Sequence, residues 1–430
     1  MPPVMSLRAL ICVVLIAAAP AAAAPFVPES DSQVLERLPF SSGDPGLRRL
    51  RGLNDQLTRT PNDLPLAILV AQGYAELGRT TGDPRYAGYA QAALAPWWGL
   101  DRAPQEVLVL RAALRQRMHQ FDLALTDLAT VLNTNPRNVQ ARLMRATVQQ
   151  VQGAYDEAKQ ECRALQDLTQ ELVWTACLGN VNGVTGELRQ SYEQLLSVFA
   201  RYPVAEPKLR SWVLTSLAEM ATRAGMMTAA EAHFRAALAL DAADFYLLGA
   251  YADYLLDDGR PPEVLALLRD KVAADPLLLR YALALQAAQH SQELPARVEQ
   301  LRDRFAASRL RGDRVHLREE ARFTLHLLNA PQEALKLAQE NWQVQKEPAD
   351  IRILLEAALA ANDATAVGIA TDWLRNCRLA GCGKSRDFGK TVMKRARNGN
   401  LGLIKSTGYE GAKGDELGWK HHRPTFSAAC

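Results

Sequence analysis

The chain has 430 residues, 48% of them hydrophobic and 7% aromatic, with a formal net charge of +3. That length would ordinarily mean two or three globular domains. Leu and Ala dominate, strand-forming residues are few and no alternating strand pattern occurs, which excludes sheet-based classes and leaves an all-α protein with enough apolar content for a continuous core.

The first residues stand apart. Arg8 is the only charge before an apolar run from Ala9 to Ala24, and small residues close the run. This describes a secretory signal peptide over residues 1–23, cleaved after Ala23, since a cut after Ala24 would set Pro25 beside the scissile bond. An uncleaved anchor is the rival reading, but the run is broken by Pro20 and falls short of the ~20 residues that cross a bilayer. Ile11 before Cys12 departs from a lipoprotein site. The mature chain is expected to be soluble outside the cytoplasm, with no membrane span.

Helical patterns follow. Leu47, Leu50, Leu53 and Leu57 share one face of a helix that Pro61 closes, and Ala71, Tyr74 and Gly78 open a unit lengthened by Thr81-Gly82-Asp83-Pro84 before Ala93-Leu94. Then a spacing of 34 residues sets in. Ala112, His119, Phe121, Ala124 and Leu128 recur as Ala146, Gly153, Tyr155, Ala158 and Cys162. A unit with Trp174, Gly179, Gly186, Ser191 and Leu195 comes next. Ala218, Gly225, Ala230 and Phe234 then recur as Ala252, Gly259, Val264 and Leu268. The stretch 279–312 is helical (Leu283, Leu285, Val298, Leu301, Phe305) but has no glycine turn. Two further units carry Arg322, Asn329, Ala334 and Ala338, and then Leu355, Ala358, Leu359 and Asp363.

The side chains explain the period. Small residues let antiparallel helices approach, and Phe121, Tyr155, Leu128 and Phe234 fill the space beside them. Gly153, Gly225 and Gly259 fall where the first helix of a pair must stop, and Pro136 and Pro276 where the second has ended. A fixed period of this length marks a helical solenoid in which each unit contacts only its neighbours.

These repeated residues resemble the tetratricopeptide repeat (TPR) family over about residues 30 to 375. The resemblance implies a right-handed superhelical solenoid of about nine antiparallel helix pairs, with the array spanning residues 24–375. It also implies a concave face, lined by the first helix of each pair, that holds a peptide or helix of a partner protein. Matching unit by unit places Gln116, Arg117, Gln150, Asn180, Trp212, Glu219, Arg223, Tyr246, Asp253, Arg280 and His290 on that face. The paired Lys and Asn side chains with which some relatives clamp a C-terminal carboxylate are missing, so capture of that kind is not expected.

Candidate chemistry is weak. Gly383-Lys384-Ser385 ends like a phosphate loop, but Arg378 stands where the first Gly belongs. Cys377, Cys382, His421 and His422 have the wrong spacing for zinc. His316 and Glu320 sit one turn apart without the second His of a zinc protease. No catalytic residue, metal site or cofactor is expected. Cys162 and Cys177 lie on helices that should pack together. A disulfide and a pair of small buried apolar residues are both open readings.

Residues 376–430 carry eleven Lys and Arg against four Asp and Glu and nine of the 26 glycines. This basic Gly-rich tail is expected to be disordered. It starts abruptly after Trp373-Leu374, as a shifted reading frame would. The expectation is a non-enzymatic scaffold or assembly factor that binds another protein through the groove, with no nucleic acid expected. The alternative is an accessory anion- or polymer-binding protein of an export machine that acts through the tail.

Overall fold

A computed structural model describes residues 45–376. The chain divides into a unit before Pro45 and a unit from Pro45 onward, and only the second is described below. The expected signal peptide and the tail, with Cys377, Cys382, Cys430, His421 and His422, lie outside the described residues.

Among the described residues every regular element is a helix, as the composition requires. α1 (Pro45–Arg59) is followed by α2 (Leu64–Thr81), α3 (Arg85–Ala93) and the single turn α4 (Ala95–Trp98). Antiparallel pairs then succeed one another. They are α5 (Gln105–Arg117) with α6 (Phe121–Thr134), α7 (Val139–Gln152) with α8 (Tyr155–Arg163), and α9 (Glu171–Val184) with α10 (Leu188–Ala200). Next come α11 (Pro207–Arg223) with α12 (Met227–Leu240), α13 (Phe245–Asp257) with α14 (Pro261–Leu268), and α15 (Asp275–Ala287) with α16 (Leu294–Leu310). The last are α17 (Leu317–His326) with α18 (Pro331–Val344), and α19 (Pro348–Ala360) with α20 (Ala364–Asn376).

The helices begin and end for local reasons. Asp63, Asn138 and Asp244 each turn a side-chain oxygen onto the backbone N–H three residues on, and proline opens α11, α14 and α18. The first helix of most pairs ends on a residue with positive φ. At Gly153, Gly186, Gly225 and Gly259 this residue is glycine. At His119, Gln289, Asn329 and Asn362 it is not, and Gln289 (φ 59°) supplies the turn that no glycine marks within 279–312. Gly78 lies within α2, which continues to Thr81 and caps at Gly82 (φ 68°), inside the segment that lengthens the unit.

Packing follows the 34-residue register. Ala112, Ala218 and Ala252 are fully buried, as are Ala124, Ala158 and Ala230 across from them, and Phe234, Phe305 and Tyr254 fill the larger gaps. A buried ion pair repeats as well. Arg111 grips Asp127 through two hydrogen bonds of 2.6 and 3.0 Å, and 34 residues on Arg145 bonds Glu161, which Arg142 also reaches at 2.8 Å. Removing one partner of such a pair would strand a buried charge. Between α8 and α9, Cys162 and Cys177 are joined by a disulfide across the unit boundary.

Contacts between neighbours alone do not account for the structure. The last turns of α2 meet the loop before α13 and the start of α11. There Arg79 bonds Asp244 and, at 3.3 Å, Asp241, while Lys208 bonds Glu76 at 2.9 Å. Further along, Lys346 N–H donates to the Val151 carbonyl at 2.7 Å and the Tyr155 hydroxyl donates to the Lys346 carbonyl at 3.0 Å. Gln345 lies 3.2 Å from His119. The superhelix therefore turns tightly enough for the end of one helix pair to dock on a pair roughly five units later. The four residues that lengthen the α2 unit, Thr81 to Pro84, sit at this seam.

Two outcomes test this packing. Gly82 and Gly225 both have positive φ, but a Cβ at Gly82 would stand 2.7 Å from the Phe245 ring and 2.9 Å from Ala274, whereas Gly225 faces open space. Gly82→Ala should therefore lose about 1–3 kcal/mol more stability in urea unfolding than Gly225→Ala; equal losses would show that the seam is not closed in solution. Reducing the Cys162–Cys177 disulfide, with its sequence separation of 15, should lower stability by about 3 kcal/mol. A melting temperature indifferent to reductant would count against the bond.

Candidate partner-binding groove

The first helices of successive pairs carry the residues of the expected groove. Their register is fixed by the core: Ala218 on α11 and Ala252 on α13 are both fully buried, so Trp212 and Tyr246, each six residues before its alanine, occupy equivalent positions. Both rings are exposed, at 37% and 59%. The Tyr246 hydroxyl donates to Glu219 Oε1 at 2.6 Å, tying α13 to α11.

Other expected groove residues are engaged in holding the inner face together. Arg280 donates to Asp253 at 2.5 Å, and Arg322 on α17 reaches the same carboxylate at 3.0 Å. Burial alone would raise Asp253, but these two guanidiniums outweigh it and hold the carboxyl well below the usual range. Arg223 donates to the Gly183 carbonyl at 2.8 Å, Arg117 to the Gly78 carbonyl at 3.0 Å, and Asn180 to Ser216 Oγ at 3.2 Å. Gln116 and Gln150 are half-buried on α5 and α7. His290 is exposed in the turn after α15, so it lies off the helix face on which the register had set it.

Charged residues that were not among the expected set complete the inner face. Arg318 on α17 bonds Glu347 at 2.9 Å and approaches Glu319 and Asp350 at 3.4 Å. Arg352 on α19 grips Asp257 on α13 through two bonds of 2.8 Å and also bonds Glu356, which lies 3.0 Å from His326. Burial pushes Asp350 up to about 6, against the pull of Arg318. Glu319 and Glu356, although buried, are held down at about 2, chiefly by Arg318 and Arg352 respectively. The repeat carried a signal for these residues: Arg318 and Arg352, Arg322 and Glu356, and Arg223 and Asp257 are each 34 residues apart.

Tyr246 shows what kind of space this is. Its ring is open to water, yet Glu219 beside it, together with Glu347 from the start of α19, raises its hydroxyl well above 10. Water reaches the ring, while charged groups on α11 and α17 and at the start of α19 act on its hydroxyl. Enclosure likewise pushes the Glu219 carboxyl upward, and Glu347 adds to the effect.

Helix pairs in a 34-residue register, turning about a charged inner face, define a tetratricopeptide-like helical-repeat protein. No protein-family model and no curated protein matches the chain. Among solved structures, the APC/C hetero-tetramer Cut9–Hcn1 is similar at 13% identity over 82% of this chain and 78% of that one, with a TM-score of 0.38. Yeast Tom70 is similar at 12% identity over 82% and 93%, with a TM-score of 0.32. The TPR domain of P58(IPK) is similar at 16% identity over 76% and 99%, with a TM-score of 0.21. At these values the likeness adds nothing to the helix-pair architecture already described, and no function is carried over from it.

His119 provides a test of the seam that borders the groove. Burial, reinforced by Arg318, lowers its pKa to about 4, and a neutral ring can accept from Gln345. The unfolded chain takes up that proton near pH 6.5. The stabilising contribution is thus complete above pH 6.5 and is lost as pH falls towards 4. Asp350, raised to about 6, pulls the other way over part of this range, so the comparison must be with a variant. His119→Asn keeps a residue tolerant of the positive φ; its stability should fall less steeply than wild type between pH 6.5 and 4 in urea titrations. Parallel slopes would show that His119 is not buried against the α18–α19 loop.

Proposed function

We propose that the protein is a non-catalytic scaffold that works outside the cytoplasm and holds an extended segment or helix of another protein on its concave face. One observation carries the reading. Two large aromatic residues, Trp212 and Tyr246, are exposed at equivalent positions of adjacent inner helices, where burial would have been the default for rings of that size. Exposed aromatic anchors are where binding energy concentrates at protein interfaces. The ion pairs around them hold the wall rigid, so a partner would meet a preformed surface. The apolar N-terminal run and the Cys162–Cys177 disulfide support an oxidising compartment such as the periplasm.

The test is a crosslinking pull-down from periplasmic extract with the full-length protein and with the Trp212→Ala/Tyr246→Ala double variant. The double variant should keep its helix content, melt within a few degrees of wild type, and lose the captured partner, since truncating such anchors commonly costs ~2 kcal/mol or more each. A double variant that unfolds would mark the rings as core. One that folds and still captures the same partner would move the binding surface away from these helices.

A further inference from the structure

The scaffold reading leaves the partner's chemistry open, and the surroundings of Trp212 and Tyr246 narrow it. Trp212 stands seven residues before Glu219 on α11, so ring and carboxylate share one face of the helix. Tyr246 approaches the same carboxylate from α13 and is the side-chain hydrogen-bond donor that Glu219 has among the described residues. A carboxylate can accept several hydrogen bonds, so Glu219 keeps capacity for another donor. Arg223 acts on it from one turn further along α11, while Arg318 is engaged with Glu347, Glu319 and Asp350. The charges that act on Tyr246 are thus the carboxylates of Glu219 and Glu347 and the guanidinium of Arg318, which is already engaged with Glu347, Glu319 and Asp350.

This combination selects a sign of charge. Aromatic faces attract cations through their quadrupole, and a carboxylate beside them accepts the cation's N–H donors. An anionic ligand would meet like charge from Glu219 and Glu347. A wholly apolar ligand would cover Glu219 without supplying a donor, which is unfavourable for a carboxylate already enclosed. We propose that the partner presents a lysine or arginine side chain that seats against Trp212 and Tyr246 with its charge on Glu219. The upward push that enclosure and Glu347 exert on the Glu219 carboxyl is consistent with a site that a bound cation would relieve. The proposal rests on the scaffold reading above, and it specifies a basic segment as the part of the partner that enters.

The experiment uses fluorescein-labelled peptides of alternating Lys and Ala, the same peptide with every lysine Nε-acetylated, and alternating Glu and Ala, titrated with full-length protein by fluorescence anisotropy. The Lys peptide should bind, and acetylation should weaken it by about fivefold or more. The Glu peptide should bind no better than the acetylated one. Glu219→Gln, which keeps an acceptor for the Tyr246 hydroxyl, should weaken the Lys peptide by a similar factor and leave the acetylated one unchanged. Trp212→Ala should also weaken the Lys peptide, providing a second variant should the first lose its fold. Glu157→Gln, at an exposed carboxylate on α8, should change nothing, which separates a seat from general attraction to an acidic surface. Equal binding of the Lys and acetylated peptides, lost in Trp212→Ala, would overturn the cation seat and leave the groove standing. Lys-peptide binding indifferent to both Glu219→Gln and Trp212→Ala, or no binding of any peptide, would overturn the seat as well; the pull-down above judges the scaffold reading separately.

Discussion

The constraint on which the rest of this structure depends is the docking of one turn of the superhelix against the next. In an open solenoid, loops at the two edges of the array face water and its curvature is free to vary. Here the peptide group of Lys346 is satisfied at both ends by residues nearly two hundred positions away, Val151 and Tyr155. Buried backbone groups that find partners only in one arrangement fix that arrangement. The pitch is set by helix length, and the radius by how many pairs must pass before the seam meets. The inner face inherits both.

A small radius explains the charge on the inner face. When first helices curve this sharply, side chains two and three units apart come within bonding distance, as Asp253 does with Arg322 and Asp257 with Arg352. Long charged side chains suit such gaps because they reach across them to an opposite charge, and the paired hydrogen bonds offset the burial of their heads. Each pair is also flanked by others, so ordering one side chain assists the next, and the pairs behave as a lattice more than as isolated surface bridges, which contribute little singly. Trp212 and Tyr246 are then notable for standing outside that lattice apart from one hydroxyl.

Much of the fold was legible in the sequence because a repeat states its register several times over. Ala112, Ala146, Ala218 and Ala252 mark helix crossings that the structure buries, and Gly153, Gly225 and Gly259 mark turns that it makes. The missed turn has a physical reason. Gln289 takes the left-handed conformation without glycine, at a cost that surrounding contacts offset, so no local signal announces it, whereas His119 does the same at a position that its register with Gly153 had marked. The seam was invisible for a different reason: nothing in the periodicity of Lys346 or Gly82 tells which distant loop each will meet. Of the groove, the exposed aromatics followed from the register together with the family resemblance. The ion pairs did not, because their partners lie on helices two or three units away and depend on the curvature that the seam imposes.

The bond between Cys162 and Cys177 crosses a boundary between units, and this bears on how the array comes apart. Repeat proteins tend to fray from their ends, each unit releasing its neighbour in turn. A covalent tie between α8 and α9 acts like a rivet through two adjacent plates. Fraying that arrives from either side can loosen the helices beyond it but cannot separate these two. The riveted pairs also contribute Val151 and Tyr155 to the seam, so the segment that is held together covalently is one that anchors the following turn. A chain pulled at one end would be expected to yield in two stages, with a stop at this point.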